Sequence, residues 1–524
     1  MKEKIAIIGA GLAGLTTIKE LTEAGLEVSC FEKSRSIGGV FSKGEASKCY
    51  DSVVLTTSNY FTAFSDFMPY GEPLRFWRWS EYCDYLHRYA DHFHLKDYIN
   101  FEHSLTSLRR LPSKKWELTF NAPDSKTFIF DRVAICTGQF QQKNMPKIMG
   151  IETFPGPIIH SSEYKNIEDV KDLAGKRVLC FGSGESAANV IYEISSIAKQ
   201  CVLSLRRPHV HSLRYPGLGK YPIDVVQTRY WHSLPAAIKV RFLKEIWNNL
   251  LQNGSDKAIS LFASSNLASV DEPGSVVTKT ELIFEAQARN GLLIEIGGVR
   301  EIFQNKVVFE SGEQKEFDAI VFCTGFTLAM PFMDETYRLK SMRECYLQMF
   351  HPELSDTLAF IGFIRPQQGG IPLIAELQAR YYALLCTGQR QLPEKMSELA
   401  KEDERMWRSE FYETPNVSGL VNGLRYNEKL AGLIGCKPPA PNLLLSPRKF
   451  LQYWFHHVWP SQYRLVGPGA RAEAQQKWMQ SETAMTALKQ VQAVLRILIY
   501  RTGSLFLRSD THPMKWRPIS RKRG

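Results

Sequence analysis

The stretch Lys4-Ile5-Ala6-Ile7-Ile8-Gly9-Ala10-Gly11-Leu12-Ala13-Gly14 begins with an apolar run and ends in a turn that contains three glycines. Gly9 permits a tight turn after the strand, Gly11 lets the backbone approach a pyrophosphate, and Gly14 lets the following helix pack on the strand. The first N–H groups of that helix have no partner within the helix and therefore attract phosphates. The stretch predicts a βαβ unit that binds a dinucleotide.

An acidic residue at the end of the next strand supports this site. Glu32 follows the apolar strand 27–31, where a carboxylate accepts hydrogen bonds from the ribose of an adenosine without a 2′-phosphate. Gly38 and Gly39 add a second close-approach turn of the kind common where FAD is held. A purely structural glycine turn is the alternative, but strand, helix and acidic residue stand in the order that a dinucleotide site requires.

A second glycine turn follows the apolar strand 177–181. It contains Gly182 and Gly184, and Ser186 begins the predicted helix. Ala187 occupies the place of the third glycine, a replacement that the motif tolerates. The second turn therefore predicts a second dinucleotide site.

The charge after the next strand distinguishes the two sites. Arg206 and Arg207 stand where the first unit has an acidic residue. A guanidinium at this place suits a 2′-phosphate, so the second turn predicts an NADPH site. Two solvated arginines are the alternative interpretation.

Composition limits the classes of function. The chain has 524 residues and a net charge of +11, but no nucleic-acid-binding motif accompanies the charge, so we expect no nucleic-acid partner. The ten cysteines form no Cys-x-x-Cys pair and no zinc spacing. This pattern indicates a reducing, cytoplasmic compartment, predicts no metal site and counts against dithiol flavoprotein reductases. No signal peptide is recognised, and no apolar run is long enough to predict a spanning helix.

Short motifs between the two turns carry the most specific signal. Thr137-Gly138 and Thr324-Gly325 each follow an apolar strand and resemble the segments that connect the two domains of two-dinucleotide flavoproteins. Phe154, Gly156, His160 and Tyr164 match the Phe-x-Gly-x-x-x-His-x-x-x-Tyr fingerprint of the flavin-containing monooxygenases. Baeyer–Villiger enzymes have a related pattern that ends in Trp-Pro, whereas this chain has Tyr164-Lys165. We interpret His160 as a linker residue that positions the domains.

This resemblance covers roughly residues 1–480 and implies an α/β fold. It implies two Rossmann-like dinucleotide-binding domains, one for FAD and one for NADP, with a helical insertion and a C-terminal extension. The predicted parts are 1–168 (FAD domain, first part), 169–325 (NADPH domain, with the helical insertion at about 209–275), 326–440 (FAD domain, closing part) and 441–524 (C-terminal extension with an amphipathic basic tail). Gln378 belongs to the part that closes over the flavin and is predicted to bind the cofactor.

The resemblance also implies a reaction. NADPH reduces FAD, the reduced flavin and dioxygen form a C4a-hydroperoxyflavin, and a soft nucleophilic nitrogen or sulfur of a small molecule takes the distal oxygen. The protein supplies positioning and a dry pocket, while the cofactor supplies the chemistry. Three alternatives stay open: Baeyer–Villiger oxidation of a carbonyl, an NADPH oxidase that releases hydrogen peroxide, and a non-catalytic flavin-binding protein.

One departure from the family pattern concerns the reactive face of the flavin. Members of the family usually have Asn-Thr-Ser there, and the aligned residues of this chain are Thr56-Thr57-Ser58. The resemblance implies that the asparagine amide helps to hold the oxygenated flavin. A threonine hydroxyl is shorter, so Thr56 and, if the loop bends, Asn59 are the candidate catalytic residues.

The C-terminal tail leaves two interpretations open. At about 484–500, Leu488, Val491, Leu495 and Leu498 share one helical face, and basic residues follow. Such a helix lies on a cytoplasmic or endoplasmic reticulum membrane surface, or it packs on its own protein. Substrate identity and homo-oligomer formation are likewise left open.

Overall fold

The computed structural model describes residues 3–43, 47–121, 126–216, 221–254, 256–270, 277–411 and 419–480. Its strands, in chain order, are β1 Lys4–Ile8, β2 Glu27–Phe31, β3 Val54–Ser58, β4 Phe76–Arg78, β5 Ile99–Asn100, β6 Ser104–Arg110, β7 Trp116–Asn121, β8 Thr127–Phe130, β9 Arg132–Ile135, β10 Gln142–Lys143, β11 Ile158–His160, β12 Arg177–Phe181, β13 Gln200–Leu205, β14 His211–Ser212, β15 Thr278–Lys279, β16 Leu293–Ile296, β17 Val299–Phe303, β18 Lys306–Phe309, β19 Gln314–Glu316, β20 Ala319–Phe322, β21 Phe326–Thr327, β22 Leu358–Phe360, β23 Arg365–Pro366 and β24 Leu420–Val421. Its α-helices are α1 Leu12–Glu23, α2 Asn59–Thr62, α3 Trp79–His92, α4 Glu185–Ile197, α5 Arg229–Ser233, α6 Ala236–Asn253, α7 Lys257–Ser269, α8 Leu282–Arg289, α9 Ile371–Cys386, α10 Met396–Glu410, α11 Gly423–Ile434, α12 Pro447–Phe455 and α13 Ala472–Gln480.

The first glycine turn lies at the end of the central strand of a five-stranded sheet. The strand order is β22-β9-β1-β2-β5, and all neighbouring pairs are parallel. Ile5, Ala6 and Ile7 are fully buried because a parallel sheet is covered on both faces. Helix α1 packs against α9, so residues from two distant parts of the chain cover one face of this sheet.

The second glycine turn occupies the same place in a second five-stranded parallel sheet, whose order is β11-β20-β12-β13-β16. The α/β fold with two Rossmann-like units is therefore confirmed. Strand β11, Ile158–His160, pairs with β20 and so belongs to the second sheet. The chain thus enters the second sheet before the predicted boundary at residue 168, because Ile158 and Ile159 pair with β20 at the edge of that sheet.

The predicted insertion after the second sheet's third strand contains helices α5, α6 and α7, in line with the expected helical character. The chain returns to the first sheet through β22. The predicted amphipathic helix at about 484–500 lies outside the described residues. Within the described ranges, no helix combines the length and the apolar character needed to cross a membrane.

A buried ionic cluster ties the C-terminal extension to the first unit. Arg464, which is 0% exposed, lies 2.6 Å from a carboxylate oxygen of Glu20, 3.0 Å from one of Asp66 and 2.8 Å from one of Glu376. The ammonium group of Lys19 lies 3.0 Å from Glu20 and also pairs with Asp66. We call these five residues the Arg464 cluster.

Two buried histidines make stability sensitive to acid. Burial lowers the pKa of His211 and of His457 to about 3. An unfolded histidine has a pKa of about 6.5, so the unfolded chain binds these protons first, and stability falls as the pH drops from about 6.5 towards 3. At pH 5 we expect each histidine to cost up to about 2 kcal/mol.

This expectation is checked with thermal unfolding midpoints at pH 7 and pH 5. The His457→Asn variant keeps a donor for the carbonyl of Val225, which lies 2.8 Å from the His457 Nδ1, but it cannot be protonated. Its midpoint should fall less between the two pH values than that of the unmodified enzyme. The exposed His92, changed to Gln, is the control, and an equal pH response of both variants would contradict the assignment.

Candidate active site

The first glycine turn joins β1 to α1 and packs against the chain that leaves β9. Gly9 has a φ of +100°, and a Cβ there would lie 2.9 Å from the carbonyl oxygen of Cys136. A Cβ on Gly14 would lie 1.8 Å from the carbonyl oxygen of Gly9, so only glycine lets α1 begin this close to the turn. Gly11 is the N-cap of α1, and no side chain caps the helix, so its first N–H groups remain available to a phosphate.

The Glu32 carboxylate lies beside this turn at the end of β2. It accepts a hydrogen bond from the N–H of Ala10 at 2.7 Å. The following turn packs on the same loop, because the N–H of Gly38 donates to the carbonyl of Ala10 at 3.0 Å. The structure thus brings together around one loop the residues predicted to hold FAD, which are Gly9, Gly11, Gly14, Glu32, Gly38 and Gly39.

The second turn repeats the geometry of the first. Gly182 has a φ of +112°, and a Cβ there would lie 2.3 Å from the carbonyl oxygen of Cys323, which follows β20. Gly184 is the N-cap of α4 and again no side chain caps the helix. Ser186 is exposed in the first turn of α4, and the fully buried Ala187 takes the third position.

The predicted 2′-phosphate residues lie at the end of β13. Arg206 and Arg207 are both exposed there. Next to them, an apolar cavity of about 160 Å³ opens between the ends of β13 and β16, and Ser183, Leu205 and Ile296 are among the residues that line it. An apolar cavity beside the glycine turn offers an apolar environment for an adenine base.

The second Thr-Gly segment is bonded to the chain that follows the first one. The Thr324 hydroxyl donates to the carbonyl of Asn144 at 2.5 Å, and the N–H of Asn144 donates to the carbonyl of Gly325 at 2.9 Å. Gly138 and Gly325 have nearly equal φ values of +75° and +73°. The Thr137 hydroxyl is buried without a partner among the described residues.

The residues of the Phe-x-Gly-x-x-x-His-x-x-x-Tyr fingerprint contact neighbouring parts of the fold. His160 is 1% exposed, and its Nε2 lies 3.0 Å from the carbonyl oxygen of Gly325, to which it must donate. Burial lowers the pKa of His160, which favours the neutral ring. A Cβ on Gly156 would lie 2.2 Å from the carbonyl oxygen of Asp318, and the Tyr164 hydroxyl bonds Glu193. These contacts agree with a linker role for His160.

The segment predicted to face the reactive side of the flavin is β3. Thr56 is partly exposed, and its hydroxyl makes no hydrogen bond with any residue that the structure describes. Asn59 is fully buried; its Nδ2 donates to the carbonyl of Pro73 at 2.9 Å and its Oδ1 accepts from the N–H of Arg75 at 3.1 Å. The substitute role considered for Asn59 stays a prediction, and the bonds of its amide to the loop 73–75 on both sides weigh against it.

Gln378 lies within α9 and is fully buried. Its Oε1 accepts from the N–H of Gly362 at 2.9 Å, and its Nε2 donates to the Tyr426 hydroxyl at 3.0 Å. The side chain thus anchors the Gly362 turn, which packs on Ala13 of α1, and any effect on the cofactor would pass through that backbone.

A set of charged residues that sequence reasoning missed lies in the cleft between the two sheets. Asp224, which is 2% exposed, accepts from the N–H of Ser58 at 2.5 Å and pairs with the Lys279 ammonium at 2.7 Å. The N–H of Lys279 donates to Glu185 at 2.7 Å. Burial raises the pKa of Glu185 and lowers that of Arg365. These residues lie far apart in the chain, and no local motif marks them.

The cleft fits a large polar ligand. Several of its buried polar atoms have no hydrogen-bond partner among the described residues, and folded proteins leave few such atoms unpaired. They are Ser58 Oγ, Thr137 Oγ1, Gln139 Nε2, Glu185 Oε2 and Arg214 Nε. These unused polar groups and the two open helix N-termini suit a cleft that two dinucleotides and a polar substrate share.

Comparisons with known proteins agree with the geometry. A model of the flavin-binding monooxygenase-like family matches residues 2–499. The chain is 39% identical to a 4-hydroxybenzoate brominase (decarboxylating) of Pseudoalteromonas luteoviolacea, over 89% of this chain and 90% of that protein. It is 32% identical to flavin-containing monooxygenase 5 of Rattus norvegicus, over 92% of each chain. The solved structure of an S-allyl-L-cysteine S-oxygenase from Allium sativum shares the fold, with a TM-score of 0.60, 20% identity and coverage of 83% of this chain and 89% of that one.

Proposed function

The chain belongs to the flavin-binding monooxygenase-like family, and from this premise we propose that it oxidises bromide and uses the product to brominate a hydroxybenzoate. The observation that supports the proposal most is the 39% identity to a decarboxylating 4-hydroxybenzoate brominase over 89% of the chain. Bromide is a soft nucleophile, so its oxidation fits the class of substrate that the family chemistry requires. FAD and NADPH are the cofactors.

The proposed reaction balances with the reagents named. When bound, FAD takes a hydride from NADPH and activates dioxygen for the transfer of one oxygen atom. With two protons, one oxygen atom leaves as water and the other forms hypobromous acid with bromide. Hypobromous acid gives its bromine to the ring carbon that bears the carboxylate, the electrons of the broken C–C bond return to the ring, and carbon dioxide and hydroxide leave.

The residues of the chain position and shield these reactants. The two glycine turns and Glu32 hold the dinucleotides, and the contact of Asp224 with the N–H of Ser58 fixes the end of β3. Thr56 presents a hydroxyl that is not used elsewhere in the described structure, at the place where the family has an amide. A site of this kind, between two sheets, keeps water away from the reacting groups while the oxygen atom is transferred.

Oxygenation of a nitrogen or sulfur compound is the second candidate, and the 32% identity to a mammalian flavin-containing monooxygenase favours it. Thr56 in place of asparagine motivates a third, the release of hydrogen peroxide. All three reactions consume NADPH and dioxygen, so cofactor consumption alone does not separate them. Product analysis does.

The test incubates the holoenzyme with NADPH, dioxygen and 4-hydroxybenzoate, with and without bromide. We expect a brominated phenol, recognised by the bromine isotope doublet in its mass spectrum, together with carbon dioxide. Parallel reactions contain an alkyl aryl sulfide or a tertiary amine and no bromide. Formation of sulfoxide or N-oxide without any brominated product would replace the proposal with the second candidate. Release of one hydrogen peroxide per NADPH consumed, with no other product, would replace it with the third.

The Thr56→Asn variant should release less hydrogen peroxide per NADPH consumed, by about threefold or more, because an amide adds a hydrogen-bond donor with longer reach. Thr56→Val is the matched control, since it keeps the shape and removes the hydroxyl, and it should not lower peroxide release. Peroxide release is measured with a coupled peroxidase dye against NADPH absorbance. Equal release from Thr56→Asn and the unmodified enzyme would show that Thr56 does not set the coupling.

A further inference from the structure

Two arginines of the cleft, the buried Arg214 and the partly exposed Arg365, have guanidinium groups without a side-chain partner among the described residues. Arg214 is 9% exposed, its Nη2 lies 3.4 Å from the carbonyl oxygen of Val54, and its Nε has no partner among the described residues. The guanidinium of Arg365 makes no hydrogen bond or ion pair with any described residue. A guanidinium out of bulk water is costly unless an anion compensates it.

The surrounding charges leave a positive excess. Lys279 is paired with Asp224 at 2.7 Å. The remaining carboxyl is Glu185, on which the charges of Lys279, Arg214 and Arg365 all act, yet burial still raises its pKa. His209, also near Arg365, is held neutral because burial lowers its pKa to about 4. Two arginines therefore share one nearby carboxyl group, Glu185, and burial opposes its ionisation.

Both arginines are attached to the first unit's side of the cleft. Arg214 bonds Val54, the first residue of the strand that carries Thr56. Arg365 lies in β23, after the Gly362 turn that packs on α1, and its N–H donates to the carbonyl of Gly419 at 3.1 Å. The residues predicted for the 2′-phosphate of NADPH, Arg206 and Arg207, lie elsewhere, at the end of β13.

We propose that Arg214 and Arg365 bind the carboxylate of the aromatic substrate and thereby hold its ring beside Thr56. The planar guanidinium matches a carboxylate in two parallel hydrogen bonds, which fixes orientation as well as position. This assignment rests on the proposed function, because it deepens the choice of a hydroxybenzoate. It makes the enzyme selective for phenolic acids over neutral phenols.

The contacts of Arg214 link the proposed anion site to β3. The Arg214 guanidinium lies 3.4 Å from the carbonyl oxygen of Val54, in the strand that carries Thr56. Glu185 is the first residue of α4, and its Oε1 accepts from the N–H of Lys279 in β15 at 2.7 Å. The charges of Arg214 and Arg365 both act on Glu185, so an anion held between the two arginines lies near the start of α4 as well as near β3. Binding and KM measurements on matched variants therefore separate a substrate carboxylate from a cofactor phosphate.

The first test measures binding without turnover. Oxidised holoenzyme is titrated with 4-hydroxybenzoate and with 4-hydroxybenzamide, its neutral counterpart, and the flavin absorption spectrum reports binding. The unmodified enzyme should bind the acid about 30-fold more tightly than the amide, and Arg365→Gln should lose most of this preference. Because the Arg365 side chain bonds no described residue, this variant removes no packing hydrogen bond. Arg214→Gln is the second variant and should act in the same direction.

A reciprocal variant separates substrate from cofactor. Arg206→Gln should raise the KM for NADPH and leave the Kd of 4-hydroxybenzoate unchanged, whereas Arg365→Gln should do the opposite. A rise in the KM for NADPH in Arg365→Gln with an unchanged acid Kd would assign the arginine to a cofactor phosphate and overturn the proposal. An equal loss of acid and amide binding, or no loss at all, would overturn it as well.

The two proposals fail separately. An enzyme that prefers the acid in the titration but forms no brominated product would refute the bromination and leave the carboxylate site in place. An enzyme that brominates neutral phenols as well as acids, with no binding preference, would refute the carboxylate site and leave the bromination in place.

Discussion

Replacing Arg464 with alanine should destabilise the folded enzyme by about 3–5 kcal/mol, because it leaves buried carboxylates without their main counter-charge. Arg464 is 0% exposed and donates to Glu20, Asp66 and Glu376, which come from three separate segments of the chain. The Arg464 guanidinium is the chief cause that lowers the pKa of Glu20 to about 2 against the opposing effect of burial. The cations left near the three carboxyl groups would be Lys19 and Arg380, whose guanidinium lies 3.9 Å from Glu376, beyond hydrogen-bond distance.

The same substitution removes a connection between distant parts of the fold. Arg464 belongs to the C-terminal extension, whereas Glu20 lies on α1 and Glu376 on α9, the two helices that pack together over the first sheet. Loss of the Arg464 ion pairs should weaken the packing of α1 beside the FAD site as well as that of the C-terminal extension. We therefore expect FAD to dissociate at a lower temperature in the variant.

The measurement compares thermal unfolding midpoints of the FAD-loaded proteins. A loss of about 3 kcal/mol or more in the free energy of unfolding should lower the midpoint by roughly 3 °C or more. Arg471→Ala is the matched control, since its ion pair with Glu23 at 3.0 Å is 46% and 40% exposed, and such pairs contribute little. Arg464→Lys keeps the positive charge but lacks the several N–H donors of a guanidinium. Its unfolding midpoint should lie between those of Arg464→Ala and Arg471→Ala. Equal midpoints for Arg464→Ala and Arg471→Ala would contradict the role of the cluster.

Sequence reasoning located the residues whose roles depend on local backbone geometry. Gly9 and Gly182 were predictable because each must turn the chain tightly after a strand, and the carbonyl groups of Cys136 and Cys323 leave no room for a Cβ at either place. Each βαβ pattern, with the acidic or basic residue that ends its second strand, likewise lies within about thirty consecutive residues and is therefore recognisable from the sequence. Both sheets followed from these patterns.

The charged residues of the cleft were not predictable in the same way. Asp224 meets Ser58 across 166 positions of the chain, and no repeat or spacing marks such a contact. For Asn59 the local sequence suggested a role that the structure does not favour. The residue follows β3 directly and carries a polar amide, but α2 begins at this residue. The helix start directs its amide to the loop 73–75, away from the role considered for it.

Replacing Gly14 with alanine should reduce the FAD content of the purified protein by more than about tenfold, because the phosphate-binding loop then cannot form. The new Cβ would lie 1.8 Å from the carbonyl oxygen of Gly9, and the backbone at both residues is held in place by the sheet and by α1. The first turn of α1 must therefore move away from the loop. The chain itself supplies the matched position, since Ala187 stands at the third place of the second turn and is fully buried there.

Three variants separate loss of the turn from loss of the cofactor contact. Ala187→Gly should keep FAD and change the KM for NADPH by less than about threefold, because glycine is the residue that the motif uses at this place. Gly11→Ala should leave the fold intact, since its Cβ would lie 3.6 Å from Gly39, an ordinary contact, but it should weaken FAD binding by filling the space that the pyrophosphate needs. FAD per chain is measured from flavin absorbance after denaturation, and the thermal midpoint of the apoprotein reports the fold. We expect a lowered apoprotein midpoint for Gly14→Ala and an unchanged one for Gly11→Ala; a full FAD complement in Gly14→Ala would refute the assignment of this turn to the FAD site.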